Sequence, residues 1–248
     1  MIDFILLRID APLVSFGAPI VDNFGFVQRF PAKSMLTGLV CNALGYGHGD
    51  YEKIENIQDN LSYSVRCYKV GEELQDFQTV FLGQPHLMDT SWTTRGYIEK
   101  RKGGIAASKG THIRYRDYRA DSYYTVAMTM VDKDMSPSLG NIVSALLEPA
   151  RPLFFGRKCC LPSNPIFIAV DTAENLFKAV CMGKDDIFKT GSFSTREPFE
   201  VWWPEGDEPP METSRELVVT DERDWKNQVH CGRRFMYYDV IKSEDYDE

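Results

Sequence analysis

The sequence predicts an α+β fold with a βαββαβ core, a long inserted hairpin and an irregular, β-rich C-terminal part. Strand-like and helix-like patterns alternate through about two-thirds of the chain. A polar, basic stretch without periodicity interrupts them near the middle, and the segments after residue 171 become short and less regular. We therefore expect a core domain over residues 1–171, with the insertion at about 81–120, and a smaller β-rich region over residues 172–248 packed on it.

The first half of the core is predicted as strand, helix, strand. Residues 4–11 are almost continuously apolar, which is typical of a central strand buried on both faces, and Pro12 is expected to end it. Ser34 is a favourable N-cap, and apolar residues then recur on one helix face until Gly45, which is expected at the C′ position. Alternation over residues 62–70 predicts the next strand.

The second half repeats this order after an excursion. Residues 76–80 favour a short strand, and residues 84–120 predict a long hairpin or a projecting loop. A strand is predicted over 123–131, a helix over 136–147 and a strand over 166–170. The order matches the split βαβ units of a ferredoxin-like fold, the arrangement also found in RRM-like domains.

Charge is segregated along the chain. The formal net charge of −8 argues mildly against nucleic-acid binding when it is taken alone. However, residues 95–119 hold eight basic and two acidic residues, a local charge of +6. Residues 205–224 hold eight acids and two arginines, and four of the last five residues are acidic. We therefore expect a basic pole and an acidic pole.

Several classes of protein are disfavoured. No apolar run approaches the roughly 18 residues of a membrane span, and the N-terminus lacks the layout of a signal peptide, so a cytoplasmic protein is expected. The six cysteines form no C-x-x-C pair and the four histidines are dispersed, which favours reduced, mostly buried thiols and no metal or other cofactor.

Lys33 and Ser34 resemble the end of a phosphate-binding loop, but the required first glycine falls on Val27. Nucleotide hydrolysis is therefore disfavoured. Two interpretations remain: the helix N-terminus and Lys33 bind one phosphate of a polynucleotide, or Lys33 is an exposed lysine beside a capping serine.

The basic excursion interleaves cations with aromatic residues, the chemistry of single-stranded nucleic-acid binding; the alternative is a solvated hairpin. A second basic site places Arg151, Arg157 and Lys158 around Gly156, which suits either close approach of another backbone or a tight turn. His112, with Lys109 and Tyr115, could support metal-free RNA cleavage, although such a histidine more often contacts phosphate or stacks.

Five segments in order, at residues 7–17, 29–45, 64–80, 114–128 and 149–167, resemble the CasD family. These are the fifth-numbered CRISPR-associated subunits of type I-E Cascade complexes, within the RAMP superfamily. The most specific pieces are PAKSMLTGL from residue 31 and PARPLFFGRKCC from residue 149. The resemblance covers roughly residues 4–170.

The resemblance implies a ferredoxin-like RAMP protein that is not an enzyme. It would grip the 5′ handle of CRISPR RNA (crRNA), project a hairpin thumb, and contact the backbone subunit CasC and the large subunit CasA, and target DNA only indirectly. A repeat-specific endoribonuclease, as in type I-C relatives, is the alternative. The expected RNA contacts are Arg29, Lys33, Ser34, Arg95, Lys100, Arg101, Lys102, Lys109, His112, Arg114, Tyr115, Arg116, Arg151, Arg157 and Lys158.

Overall fold

A computed structural model of the chain shows a large, mainly antiparallel sheet with helices on its faces. The structure describes residues 1–18, 24–81, 91–92, 98–99, 111–181 and 198–241. The helices are α1 (Lys33–Ala43), α2 (Tyr51–Asn60), α3 (Leu139–Leu147) and α4 (Leu176–Cys181). The strands are β1 (Ile2–Val14), β2 (Phe24–Gly25), β3 (Leu61–Lys69), β4 (Glu72–Phe81), β5 (Ser91–Trp92), β6 (Ile98–Glu99), β7 (Thr111–Met130), β8 (Phe167–Ala173), β9 (Phe199–Pro204), β10 (Arg215–Val219), β11 (Glu222–Asp224), β12 (Val229–Cys231) and β13 (Arg234–Ile241).

The centre of the sheet has the strand order β3-β7-β1-β8, and each neighbouring pair is antiparallel. Helices α1 and α2 lie in the connection from β1 to β3, and α3 lies in the connection from β7 to β8. Strands β9, β13 and β10 extend the same sheet beyond β3. The C-terminal part therefore continues the central sheet.

Strand β7 belongs both to the core and to a hairpin arm. Its C-terminal half pairs with β1 and β3, whereas its N-terminal half pairs with β4 from Glu72 opposite Ala120 to Phe81 opposite Thr111. The sequence had indicated an irregular stretch up to residue 120 and a separate strand from 123. The structure instead has one continuous strand of 20 residues, because the arm and the core share it.

Strand β1 is buried on both faces, as predicted. Ile5, Leu7 and Ile9 contribute to a core that also includes residues of α1, α2 and α3. Phe4 and Leu6 contribute to a second core together with α4 and β9. This alternation places α1 to α3 over one face of the sheet and α4 over the other.

Several local predictions need correction. Pro12 does not end β1, which continues to Val14; the proline lies beyond the last residue paired with β8, so its missing N–H costs no bond to that strand. Ser34 is not the N-cap of α1, because the helix begins at Lys33 with Ala32 as the cap residue. Gly45 does follow the helix with a φ of +82°. Helices α2 and α4 were not predicted.

The described part of the chain includes no helix that is long and apolar enough to cross a membrane. It also includes no group of histidine, cysteine and acidic side chains suited to a metal ion. Four of the six cysteines are buried, namely Cys41, Cys67, Cys160 and Cys181.

Candidate nucleic-acid interface

A groove of about 930 Å³ opens where the end of β1, the flank of α1 and the loop after α3 meet. Its lining also includes Arg116 of β7, Arg223 of β11 and His230 of β12. Gly38 on α1 faces the indole of Trp225, and the Nε1–H of that indole donates to Oε1 of Gln58 on α2 at 3.0 Å. Packing between the helices and the C-terminal strands therefore fixes one wall of the groove.

Five cationic side chains line this groove, and the described lining includes no aspartate or glutamate. They come from three separate parts of the chain and are Arg116, Arg151, Arg157, Lys158 and Arg223. Four of the five were expected as RNA contacts from the sequence. The fold brings Arg116 of the basic excursion and the second basic site into one groove.

The arginines are held in place by neutral oxygens. Arg157 donates to the backbone carbonyls of Asp117 at 2.8 Å and Gly25 at 3.2 Å, and its guanidinium lies 4.6 Å from the centre of the Tyr118 ring. Arg151 donates to the carbonyls of Gly45 and Tyr46, at 2.7 and 2.6 Å, just past the end of α1.

The other two arginines also donate hydrogen bonds to uncharged oxygens. Arg116 Nε donates to the amide oxygen of Gln78 at 2.8 Å, and Arg223 donates to the carbonyl of Gln228 at 3.0 Å. Lys158 is exposed and has no hydrogen-bond or ion-pair partner among the described residues. A bond to a neutral oxygen orients a cation without neutralising it, so the groove keeps its positive charge for an anionic ligand.

Lys33 shows the opposite arrangement. Its Nζ pairs with Oε1 of Glu222 at 2.8 Å, and its backbone N–H donates to Oδ2 of Asp221 at 2.8 Å. The N–H of Ser34 donates to the backbone carbonyl of Asp221 at 3.0 Å. The anion at the α1 N-terminus is thus a carboxylate of the chain itself. Ser34 also lines the groove, and the RNA contacts expected at Lys33 and Ser34 stay predictions.

Asp221 is fully buried and joins several elements. Its carboxylate accepts from Nε and Nη2 of Arg234, at 2.7 and 2.6 Å, and from the hydroxyl of Tyr63 at 3.3 Å. Burial acts to lower the pKa of Arg234, but Tyr63 and Asp221 raise it above its usual value overall. Part of the acidic C-terminal segment is therefore structural. It anchors the chain just before Arg223.

Other predicted contacts differ in their surroundings. Arg29 pairs with Glu200 at 2.5 Å, so its charge is already balanced. Arg114 is exposed on the arm. Gly156 has a φ of +90°, and a Cβ there would lie 1.8 Å from the carbonyl oxygen of Ser15, so the backbone that approaches this glycine belongs to the chain itself.

The predictions on the outer part of the arm cannot be placed. Lys109 and four other residues named from the sequence lie outside the described residues, namely Arg95, Lys100, Arg101 and Lys102. For His112 only the backbone is described, on β7 opposite Val80. Their roles stay predictions, including the proposed catalytic group of His112, Lys109 and Tyr115.

Two histidines that the sequence did not single out, His48 and His230, line the groove. Burial, and then the charge of Arg223, lower the pKa of His230 below its ordinary value. Its Nδ1 atom is buried and has no hydrogen-bond partner among the described residues. His230 is therefore expected to be neutral at pH 7.

Aromatic rings cover one side of the arm near the groove. The ring of Phe24 stacks on those of Tyr115 and Phe26, with centroid distances of 5.1 and 5.9 Å, and Phe77 meets Tyr115 edge-on at 5.4 Å. Tyr118, another aromatic residue of the basic excursion, is instead buried in the core. The exposed rings at positions 24, 26 and 77 gave no sequence signal, because only the β2–β7 and β4–β7 pairing places them beside Tyr115.

The chain is similar to known proteins over nearly its whole length. The sequence model of the family described as CRISPR-associated protein (Cas_Cas5) matches residues 4–237. The chain is 24% identical over 180 residues to the CRISPR system Cascade subunit CasD of Escherichia coli (strain K12), which covers 73% of this chain and 76% of that protein.

Two solved structures share the fold. A chain of a CRISPR RNA-guided surveillance complex superposes with a TM-score of 0.66 at 20% identity, over 96% of this chain and 90% of the other. The crystal structure of a Cas protein superposes with a TM-score of 0.57 at 18% identity, over 97% and 96% of the two chains.

Proposed function

Because the chain belongs to the CRISPR-associated protein (Cas_Cas5) family, we propose that it is a crRNA-binding subunit of a Cascade-type surveillance complex. The single observation that carries the proposal is the charge of the groove. Five cations line it: the four arginines donate hydrogen bonds to neutral oxygens, and Lys158 has no partner among the described residues. Such a surface attracts a polyanion and releases counterions when the polyanion binds.

The resemblance to the CasD family suggests a more specific role, type of complex and set of partners. The subunit grips the repeat-derived 5′ handle and uses the β4–β7 arm as a thumb, in a complex of type I-E with the CasC and CasA subunits in the cytoplasm. Its centre is a ferredoxin-like RAMP unit, which the order β3-β7-β1-β8 and the two helical connections support. The relative named CasD and the surveillance-complex chain support the Cascade assignment.

A salt titration tests RNA binding directly. If each of the five groove cations neutralises one phosphate of single-stranded RNA, the plot of log affinity against log salt has a slope of about −3.5. Lys158→Glu should weaken the binding of repeat RNA and make this slope shallower by about 0.7 or more, because one phosphate contact is lost. This lysine has no partner among the described residues that the change would disturb.

The matched control is Lys133→Glu, which reverses an exposed lysine just past the far end of β7, outside the groove. It should leave both affinity and slope near the values of the unmodified chain. Equal effects of the two reversals, or a slope near zero for the unmodified chain, would contradict the proposed groove.

We propose that the subunit binds RNA without cleaving it. Purified protein incubated with repeat RNA in EDTA should return the RNA intact. Specific cleavage that is lost in His112→Ala would instead favour the alternative, a metal-independent endoribonuclease using His112, Lys109 and Tyr115. His230→Ala belongs in the same experiment, because His230 lines the groove.

A further inference from the structure

We propose that the rings of Phe24, Phe26, Phe77 and Tyr115 form a platform on which unpaired bases of single-stranded RNA stack. We call these four rings the aromatic face. The inference rests on the proposed function, because the RNA that enters the groove is the molecule that would supply the bases. It adds a second kind of contact, to bases, beside the groove's contacts with phosphates.

The aromatic face is exposed although it consists of large apolar side chains. Phe24, Phe26 and Phe77 are 42%, 48% and 55% exposed. Ile113, which is also exposed, lies two residues from Tyr115 on β7 and so points to the same face of the arm. A group of exposed rings of this size on a soluble chain marks a binding surface, because water contact with each ring is unfavourable.

The geometry of the rings suits bases. Phe24 is nearly parallel to both of its neighbours, with interplanar angles of 10° to Tyr115 and 13° to Phe26. Phe26 ends this row of rings, since among the described residues its one aromatic ring pair is with Phe24, and the side chain is 48% exposed. A base on the free side of Phe26 would extend the row by the same offset stacking that the rings already make.

The aromatic face is continuous with the basic groove. Gly25 lies between Phe24 and Phe26 in the chain, and its carbonyl accepts a hydrogen bond from Arg157 of the groove. Phe26 itself lines the groove, and Tyr115 is next to Arg116, another groove residue. A strand of RNA whose phosphates meet those arginines would have its bases within reach of the rings.

The charge around the face selects RNA over an apolar protein segment. Phe26 shares the lining of the groove with Arg116 and Arg157, whose hydrogen bonds go to neutral oxygens. A purely apolar partner would have to desolvate these guanidinium groups without pairing them, which is costly. A phosphate-linked chain of bases satisfies both the rings and the cations.

The test compares a short oligoadenylate with an abasic ribose-phosphate oligomer of the same length. The unmodified chain should bind the base-bearing RNA more tightly. The double variant Phe24→Leu/Phe26→Leu should lose about tenfold in affinity for each base that no longer stacks. The variant should keep its affinity for the abasic oligomer and the slope of its salt dependence.

Phe235→Leu is the matched control, because this ring lies on β13, outside the groove and the aromatic face, and should leave the preference for bases unchanged. Equal binding of the two oligomers by the unmodified chain would overturn the inference without any variant that might misfold. A preference for bases that persists in the double variant would overturn it as well. In both cases a steep salt dependence would leave the groove proposal standing, whereas loss of that dependence would refute the proposed function.

Discussion

Replacing Asp221 by alanine should destabilise the protein more than any other change of a single carboxylate in the described C-terminal region. The side chain is fully buried and accepts hydrogen bonds from Arg234, Tyr63 and the backbone N–H of Lys33. Asp221→Ala therefore removes the counter-charge of a guanidinium whose side chain is only 15% exposed, and it removes the acceptor at the N-terminus of α1.

The size of the effect follows from these contacts. Breaking a buried ion pair by removing one partner costs about 3–5 kcal/mol, because the other charge stays buried without compensation. Loss of a helix N-terminal acceptor typically costs about 1 kcal/mol, and we include it in the same range since the two contacts share one carboxylate. A loss of about 3–5 kcal/mol is a large fraction of the stability of an ordinary domain.

Urea unfolding followed by circular dichroism measures the loss. Asp224→Ala is the control, because the hydrogen bonds between that carboxylate and Asn227 are exposed, so the change should shift the midpoint much less. Arg234→Met should partly rescue Asp221→Ala, since it removes the unpaired charge. A midpoint for Asp221→Ala close to that of the unmodified chain, or no rescue, would contradict the buried ion pair as the cause.

Three further predictions concern single residues. Gly156→Ala should destabilise the fold by well over about 1 kcal/mol in thermal unfolding, because the new Cβ meets the carbonyl of Ser15. Gly206 has a similar positive φ but lies in open space, so Gly206→Ala should cost only the conformational strain of about 1 kcal/mol. Equal losses in the two variants would contradict the steric explanation. His230 has a lowered pKa in the folded state, so this imidazole binds a proton more readily in the unfolded chain, and stability should fall as the pH drops below about 6.5. His230→Gln should flatten that part of a pH–stability profile. An unchanged profile would contradict the lowered pKa. Ser138→Ala removes the capping box of α3 and should cost about 1 kcal/mol in urea unfolding, whereas no change would mean that the box adds nothing.

Much of the fold could be predicted because the core strands and two helices carry strong periodicity. Strands β1, β3 and β8 and helices α1 and α3 lie within a few residues of their predicted positions. Helix α2 was missed although Ile54 and Ile57 are buried at helical spacing, because its polar residues and the glycines before it indicated a loop. Helix α4 spans only six residues, too few for a periodic pattern.

The end of β1 and the start of β7 show why local signals were insufficient. A proline usually ends a strand because it lacks a backbone N–H. At Pro12, however, β8 has already stopped pairing with β1, so no hydrogen bond between these two strands is lost. The first half of β7 is polar and basic, yet it is a strand because β4 supplies its hydrogen bonds. Neither fact can be read from a window of residues around the position itself.

The candidate site could be predicted in part. The sequence identified Arg116, Arg151, Arg157 and Lys158, and the fold places all four in one groove. It did not identify Arg223, which follows an acidic stretch and would be counted as part of the negative pole. It also did not identify Phe24 or Phe26, since a pair of phenylalanines near a glycine has no specific signature.

Counting cations along the sequence could not reveal which of them carry free charge. Lys33 and Arg29 have carboxylate partners, so their charges are balanced within the chain, whereas Arg151 and Arg157 are bonded to backbone carbonyls. A carbonyl fixes the direction of a guanidinium but leaves its field intact, and a fixed cation loses less entropy when a phosphate arrives. The choice of partner, which only the fold determines, therefore separates the cations whose charge is balanced within the chain from those available to an anionic ligand.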